Sequence, residues 1–96
     1  MLALENKYLA MVQKILANTI QDKKVWAYGS RVKGTSHEGS DLDLVVRDEI
    51  SAETLHSLQN AFSESNLPIL VSVLSWADLP ETFKKEINKK HEVLYY

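Results

Sequence analysis

Two aspartates separated by a single residue, Asp41 and Asp43, have the residue type and spacing needed to bind a metal ion. They belong to the stretch 41–46, where acidic and aliphatic residues alternate as in a half-buried strand. On a strand, residues i and i+2 project from the same face, roughly 6.5–7 Å apart. Carboxylates so placed repel each other unless a cation lies between them, and Mg²⁺ binds few carboxylates together with substrate phosphates. The pair therefore indicates a magnesium site of the kind that serves phosphoryl transfer.

A turn suited to phosphate precedes the two aspartates. The β-prone run 25–28 ends at Gly29, and Ser30 follows. A strand that turns at glycine into a helix beginning with serine offers free backbone N–H groups, which favour phosphate oxygens. Arg31 and Lys33 lie close by in the sequence and can neutralise phosphate charge. The sequence therefore predicts a phosphate-binding turn here.

The combination of the two motifs is more informative than either part. An Asp-X-Asp stretch alone is usually a solvated strand face, and Gly-Ser alone is a common turn. Here ten residues separate Ser30 from Asp41, within a predicted strand–turn–helix–strand order.

Apolar periodicity predicts the elements that position these motifs. Helices are predicted over residues 4–19, 51–65 and about 78–90, and strands over 25–28, 41–46 and 69–74. Ser51 is predicted to cap the second helix, and Asp78 with Glu81 has the form of a capping box for the last one. The apolar tail 93–96 is expected to add an edge strand or to dock on a neighbour.

Length and composition indicate one domain over residues 1–96. The chain has 96 residues, of which 45% are hydrophobic and 25% charged, as in an ordinary globular protein. We expect an α/β (α+β) fold with a short mixed sheet and helices packed on one face. The other face is expected to carry an open groove lined by Asp41 and Asp43, with the Gly29-Ser30 turn at its end.

Charge and residue types argue against several functional classes. The net charge is −2 and acids and bases are interleaved, so no direct nucleic-acid binding is expected. No apolar run approaches the ~20 residues needed to cross a bilayer, so no membrane partner is expected. The absence of cysteine excludes disulfides and thiolate metal sites. With no leader pattern at its start, the expected location is the cytoplasm.

The segment YGSRVKGTSHEGSDLDLVV, residues 28–46, resembles the signature of the minimal nucleotidyltransferases, small relatives of the DNA polymerase β superfamily. In that family a GS(R)xxG segment is followed by SDxDLxV, and the resemblance extends over nearly the whole chain. It implies transfer of an NMP group, with AMP from ATP expected, from a Mg²⁺-bound NTP to a hydroxyl. It implies that Asp41 and Asp43 are the catalytic ligands of a two-ion Mg²⁺ site and that the nucleotide is bound by Gly29, Ser30, Arg31 and Lys33.

One position departs from the family pattern. Relatives carry a third catalytic aspartate in a run that reads roughly VDxxDW, whereas residues 71–76 read VSVLSW, so Ser72 stands at the third-carboxylate position. A neutral serine binds Mg²⁺ weakly and is no base near neutral pH, and loss of general-base help alone costs ~10²–10⁴ in rate. Asp48 has the wrong strand parity to replace it, and Asp78 is better suited to capping a helix.

The resemblance also implies a partner. Small proteins of this family are typically paired with a helical HEPN-domain protein in toxin–antitoxin modules, where they act as the antitoxin by complex formation or by adenylylating a tyrosine of the toxin. A chain this short has little room for an acceptor-binding domain, so the acceptor platform is expected on another chain. Candidate interface residues, for which packing in a small core or edge strand is the commoner role, are Trp76, Leu79, Phe83 and 93–96.

Three functions therefore stay open. The first is an active nucleotidyltransferase-type antitoxin. The second is a catalytically impaired member, with Ser72 in place of the third aspartate, that neutralises its partner by binding alone. The third is a nucleotide-sensing module without transfer.

Overall fold

The computed structural model describes residues 2–95 of the chain. Its elements are α1 (Asn6–Thr19), β1 (Val25–Tyr28), α2 (Ser30–Lys33), β2 (Leu42–Val46), α3 (Ala52–Ser63), β3 (Val71–Ser75), α4 (Glu81–Lys89) and β4 (Glu92–Tyr95). The order agrees with the predicted one, with small shifts at the ends of the elements. Within residues 2–95, none of the helices combines the length and the apolar character that crossing a bilayer requires.

The four strands form one mixed sheet in the order β3-β2-β1-β4. Strand β1 is antiparallel to both β2 and β4, whereas β3 runs parallel to β2. A parallel pair needs a crossover connection, which α3 supplies. The predicted mixed sheet is confirmed, and so is the edge strand expected from the apolar tail. The last residue of that tail, Tyr96, lies outside the described residues.

Helices α1 and α3 cover the first face of the sheet. Each places two fully or almost fully buried residues four positions apart on one stripe, Val12 and Leu16 in α1, Leu58 and Phe62 in α3. These side chains pack against residues that alternate along the strands, namely Val25, Ala27, Leu42, Leu44, Val46, Val73 and Leu94. The alternation of β2 thus decides which of its residues face the core and leaves Asp43 on the second face.

Helix α4 packs on the second face, which corrects the prediction that the helices all lie on one side. Ile87 is 2% exposed and contacts Tyr28 and Val45, which project from this face. Because these side chains are largely apolar, covering them with a helix removes apolar surface from water. The open part of the groove is therefore confined to the end of the second face that carries Asp43 and the exposed Ser72.

The two predicted helix starts differ in outcome. Ser51 caps α3 as expected, because its hydroxyl accepts a hydrogen bond from the Thr54 amide at 3.1 Å. The capping box predicted from Asp78 and Glu81 is wrong, since Pro80 is the N-cap of α4 and makes no side-chain cap bond. Asp78 is instead the last residue of a 3₁₀ turn that follows β3 and ends before α4 begins.

Candidate nucleotide and metal site

Strand β2 presents Asp43 on the second face, and Asp41 lies just before the strand, which begins one residue later than predicted. Asp43 is half-buried and Asp41 is exposed. Burial, and then the negative charge of Asp41, raises the pKa of the Asp43 carboxyl above its ordinary value. The two carboxylates therefore act on each other electrostatically. A divalent cation bound at both would offset the burial and the repulsion, so the pair fits a Mg²⁺ ion.

The third position of the expected acidic cluster is polar but uncharged. Ser72 on β3 is paired in register with Asp43 on β2, and paired residues project from the same face of a sheet. Asp48 lies past the other end of β2, where its Oδ2 accepts a hydrogen bond from the Lys24 amide at 2.7 Å. Within residues 2–95, no group of three or more His, Cys, Asp or Glu side chains is placed to hold a metal. A bound ion would thus depend on two carboxylates and on phosphate oxygens of a substrate.

Gly29 brings the turn that the sequence predicts to bind phosphate against the Asp43 carboxylate. Its φ is +83°, in the left-handed region that glycine adopts without penalty. A Cβ at this position would lie 2.5 Å from Oδ2 of Asp43, so only glycine allows this close approach. Gly29 is followed by the single turn of α2, where Val32 and Lys33 donate their amides to the Gly29 carbonyl at 3.0 Å. The preceding amides, including that of Ser30, lack an acceptor within this helix and suit an anion.

Lys33 lies on the α4 side of this turn, and so does Tyr28, which the sequence analysis did not identify as a candidate. Both line a cavity of about 120 Å³ between the turn and α4, together with Gly29 and Lys90. Tyr28 pairs in register with Asp43, and burial, followed by the charge of that carboxylate, raises the pKa of the Tyr28 phenol to about 12. Tyr28 therefore stays protonated beside the site. The signal available in the sequence was its position directly before Gly29, at the end of a predicted strand.

The structure corrects the expectation that Arg31 binds phosphate. The residue is 6% exposed. Its guanidinium donates to the carbonyl oxygens of Ala3 at 2.5 Å, Glu38 at 3.0 Å, and Ser40 at 3.0 Å from Nε and 2.9 Å from Nη2. These bonds use most of the donors that a guanidinium has. Because Ser40 immediately precedes Asp41, Arg31 fastens the Asp41 loop to the turn rather than reaching a ligand.

A sizeable cavity lies away from the two aspartates. A cavity of about 630 Å³ is lined by Arg31 together with Tyr8 and Pro68. Neither aspartate lines this cavity. The carboxylate pair and the glycine turn, which supply charge and donors, therefore define the candidate site better than volume does.

The aromatic residues considered for an interface have packing roles. Trp76 and Leu79 pack against the buried cluster of the second face. Phe83 is 36% exposed, and its ring meets Tyr28 edge-to-face with centroids 5.6 Å apart. The tail forms β4, where Val93 is 61% exposed. Packing thus accounts for most of these side chains.

Comparison with known proteins gives an independent view of the same fold. Residues 11–96 match the family described as "Polymerase beta, Nucleotidyltransferase". A Haemophilus influenzae protein named "Probable protein adenylyltransferase MntA" is 42% identical over 95 residues, which span 97% of this chain and 83% of the relative.

Two crystal structures have similar folds, each with a TM-score of 0.72. One is a toxin–antitoxin with AMP-PNP, 20% identical, with 94% of this chain and 73% of that one covered. The other is a mutant of the toxin–antitoxin MntA-HpeT, 18% identical, with 90% and 71% covered. The family match spans nearly the whole chain, and the 42% identical relative agrees with it. This chain therefore belongs to the polymerase β nucleotidyltransferase family.

Proposed function

We propose that this protein is an antitoxin that transfers AMP from Mg-ATP to a hydroxyl group of a toxin partner, expected to be a HEPN-domain protein. The observation that carries the proposal is the approach of the Gly29 turn to Asp43, which joins a phosphate-binding element to a carboxylate pair. The 42% identical relative is named a protein adenylyltransferase, and both structural neighbours are toxin–antitoxin proteins. These similarities support a protein acceptor.

The proposed roles follow from the geometry of each residue. Asp41 and Asp43 hold the metal, while Gly29, Ser30 and Lys33 bind the triphosphate through backbone amides, a hydroxyl and a positive charge. A Mg²⁺ ion held by these carboxylates would neutralise charge on the phosphates and on the leaving pyrophosphate. The acceptor hydroxyl oxygen forms a bond to the α-phosphorus, the bond to the β-phosphate bridging oxygen breaks, and the hydroxyl proton is lost to water.

The pairing of Ser72 with Asp43 favours a second candidate function. With no third carboxylate at that position, proton removal from the acceptor has no carboxylate base on β3, and one metal position is weaker. A protein that still binds its toxin but transfers AMP slowly or not at all would neutralise the toxin by occlusion alone. In that case nucleotide binding would serve the complex and not the chemistry.

A transfer assay separates these functions. The protein is incubated with Mg-ATP labelled at the α-phosphate, with the purified product of the neighbouring gene as candidate toxin. Label on the toxin that disappears with EDTA supports transfer. An intact complex without label supports occlusion, and neither complex nor label contradicts the antitoxin proposal.

The Ser72→Asp variant tests the missing carboxylate directly. We expect the rate of AMP transfer to rise by about 10²-fold or more, because general-base help is restored beside Asp43. Ser57→Asp, which adds the same charge to an exposed position of α3, is the matched control and should leave the rate unchanged. An unchanged rate in Ser72→Asp would show that the site lacks more than this one carboxylate.

A further inference from the structure

An exposed apolar residue lies directly before β3, beside the candidate site. Leu70 is 74% exposed. Its carbonyl accepts a hydrogen bond from the Leu42 amide at 2.9 Å, and Val71 is in register with Leu42. Leu70 therefore flanks Asp41 in the same way that Ser72 flanks Asp43. Because alternate residues of a strand share a face, Leu70 lies on the second face together with Ser72.

The backbone of β3 is open on its outer side at the same place. Strand β3 is the last strand of the sheet and pairs only with β2. Since Leu70 directs its carbonyl to β2, the alternation directs the backbone groups of Val71 and Val73 outward. Gln59 of α3 donates its Nε2 to the Val73 carbonyl at 2.9 Å, so that position is covered. Within residues 2–95, the outward backbone N–H and C=O groups of Val71 have no hydrogen-bond partner.

A groove adjoins this open edge. A cavity of about 260 Å³ lies between α3 and the segment that leads into β3, where Phe62, Leu67, Leu70 and Val71 contribute to its wall. The combination of an exposed aliphatic side chain, unpaired strand backbone and a neighbouring apolar groove is the geometry by which sheet edges bind extended peptide segments.

Two approaches to Asp43 are occupied by other parts of the protein. On the β1 side the Gly29 turn lies against its carboxylate, and this turn is needed for the triphosphate. Farther along the second face, Ile87 of α4 covers Val45. The β3 side, where Ser72 is exposed, leaves room for a hydroxyl that attacks the α-phosphate.

We propose that an extended, hydroxyl-bearing segment of the acceptor protein docks along the outer edge of β3, over Leu70 and Val71, with an apolar side chain in the adjoining groove. The proposal rests on the protein acceptor put forward above and adds the surface that binds it. Docking there places the hydroxyl beside Ser72 and Asp43, within reach of the nucleotide.

The two edges of the sheet provide a matched test. Leu70→Gln, directly before β3, and Val93→Gln on β4 each replace an exposed aliphatic residue, 74% and 61% exposed, with a neutral polar one. Neither change adds charge near the carboxylates. Complex formation with the purified candidate toxin and binding of Mg-ATP are both measured by calorimetry for the wild type and the two variants.

We expect Leu70→Gln to weaken the toxin complex by at least about tenfold, a loss of roughly 1.4 kcal/mol, and Val93→Gln to leave it within about twofold. Both variants should bind Mg-ATP like the wild type. Equal toxin binding by Leu70→Gln and the wild type, or an equal loss in both variants, overturns the proposed surface alone. A wild-type protein that binds Mg-ATP but no toxin overturns the proposed partner and this surface together.

Discussion

Ionisation of Asp43 destabilises the ligand-free protein but favours the binding of a cation. Burial and the nearby charge of Asp41 raise its pKa, so the ionised carboxylate opposes folding at neutral pH. The opposition is present above the pKa of the folded state and disappears as the pH falls below the pKa of the unfolded state, where the carboxyl is protonated in both. A bound cation reverses the effect, because it favours the ionised form.

Asp43→Asn is therefore expected to change stability in opposite directions with and without ligand. In EDTA the variant should unfold at a higher urea concentration than the wild type, because a desolvated charge is removed. With Mg-ATP the wild type should gain stability and the variant should gain little. Asp78→Asn, at an exposed acid away from the pair, is the control and should behave like the wild type. A lower urea midpoint for Asp43→Asn in EDTA would contradict this account.

The other residue that sets the site is Arg31, which joins three backbone segments. Arg31→Lys keeps the charge but cannot reproduce the forked set of donors. We expect a loss of about 2–3 kcal/mol in the free energy of unfolding, because most of these buried bonds are lost. Affinity for Mg-ATP should also fall, since the loop before Asp41 is no longer fastened.

Arg47→Lys provides the comparison, because Arg31 and Arg47 are the two arginines of the sequence. The Arg47 guanidinium lies over the rings of Trp26 and Trp76, with Cζ 4.5 and 3.9 Å from the ring centroids. Arg47 follows the last residue of β2, at the other end of the strand from the Asp41 loop. A loss of about 1 kcal/mol is expected there, with nucleotide affinity unchanged. Equal nucleotide affinities in the two variants would show that Arg31 does not position the loop before Asp41 for nucleotide binding.

At the scale of elements, the one-turn helix α2 depends on the glycines at its two ends. Gly29 and Gly34 both have φ of +83°. Their surroundings differ, because a Cβ on Gly29 would meet Oδ2 of Asp43 at 2.5 Å, whereas one on Gly34 would meet nothing within 4 Å. A side chain would therefore strain the backbone at both positions, whereas the close approach to Asp43 belongs to Gly29 alone.

This difference predicts distinct effects of the same substitution. Gly34→Ala should cost about 1–2 kcal/mol of stability, the usual penalty for a left-handed alanine, with Mg-ATP affinity unchanged. Gly29→Ala should cost more and should lower Mg-ATP affinity by about tenfold or more, because Asp43 must move. Denaturation and nucleotide calorimetry on both variants test the idea, which fails if Gly34→Ala loses as much affinity as Gly29→Ala.

In the molecule as a whole, helices cover both faces of the sheet, and the two buried clusters lie at different places relative to the candidate site. Leu16 of α1 lies in the core of the first face and has no exposed surface. Ile87 of α4 lies in the smaller cluster of the second face, in contact with Tyr28, which pairs with Asp43. Ile87 is therefore linked to the candidate site through Tyr28, whereas Leu16 packs on the opposite face of the sheet.

Cavities in the two clusters should have separable effects. Leu16→Ala and Ile87→Ala are each expected to lower the free energy of unfolding by about 2–4 kcal/mol. Under conditions where both are folded, Ile87→Ala should bind Mg-ATP more weakly and Leu16→Ala should bind it normally. Urea denaturation and calorimetry test this, and normal nucleotide binding by Ile87→Ala would show that α4 does not support the site.

The sequence by itself determined the parts of the site and most of the elements. The alternation of β2 placed Asp43 opposite the core-facing aliphatic residues, and the glycine after β1 marked the turn that we propose binds phosphate. Ser51 was identified as a cap from its residue type and position alone. These features depend on backbone geometry and side-chain direction within a few residues, so a local pattern is sufficient to predict them.

Only the tertiary structure decided which elements became neighbours. A positive charge next to Gly29-Ser30 reads as a phosphate ligand, but the guanidinium of Arg31 is used by carbonyl oxygens that are distant in sequence, including that of Ala3. Likewise, the periodicity of α4 shows that one of its faces is apolar without showing which side of the sheet that face covers. Both outcomes depend on long-range packing, where burial and hydrogen bonding between distant segments outweigh local preference.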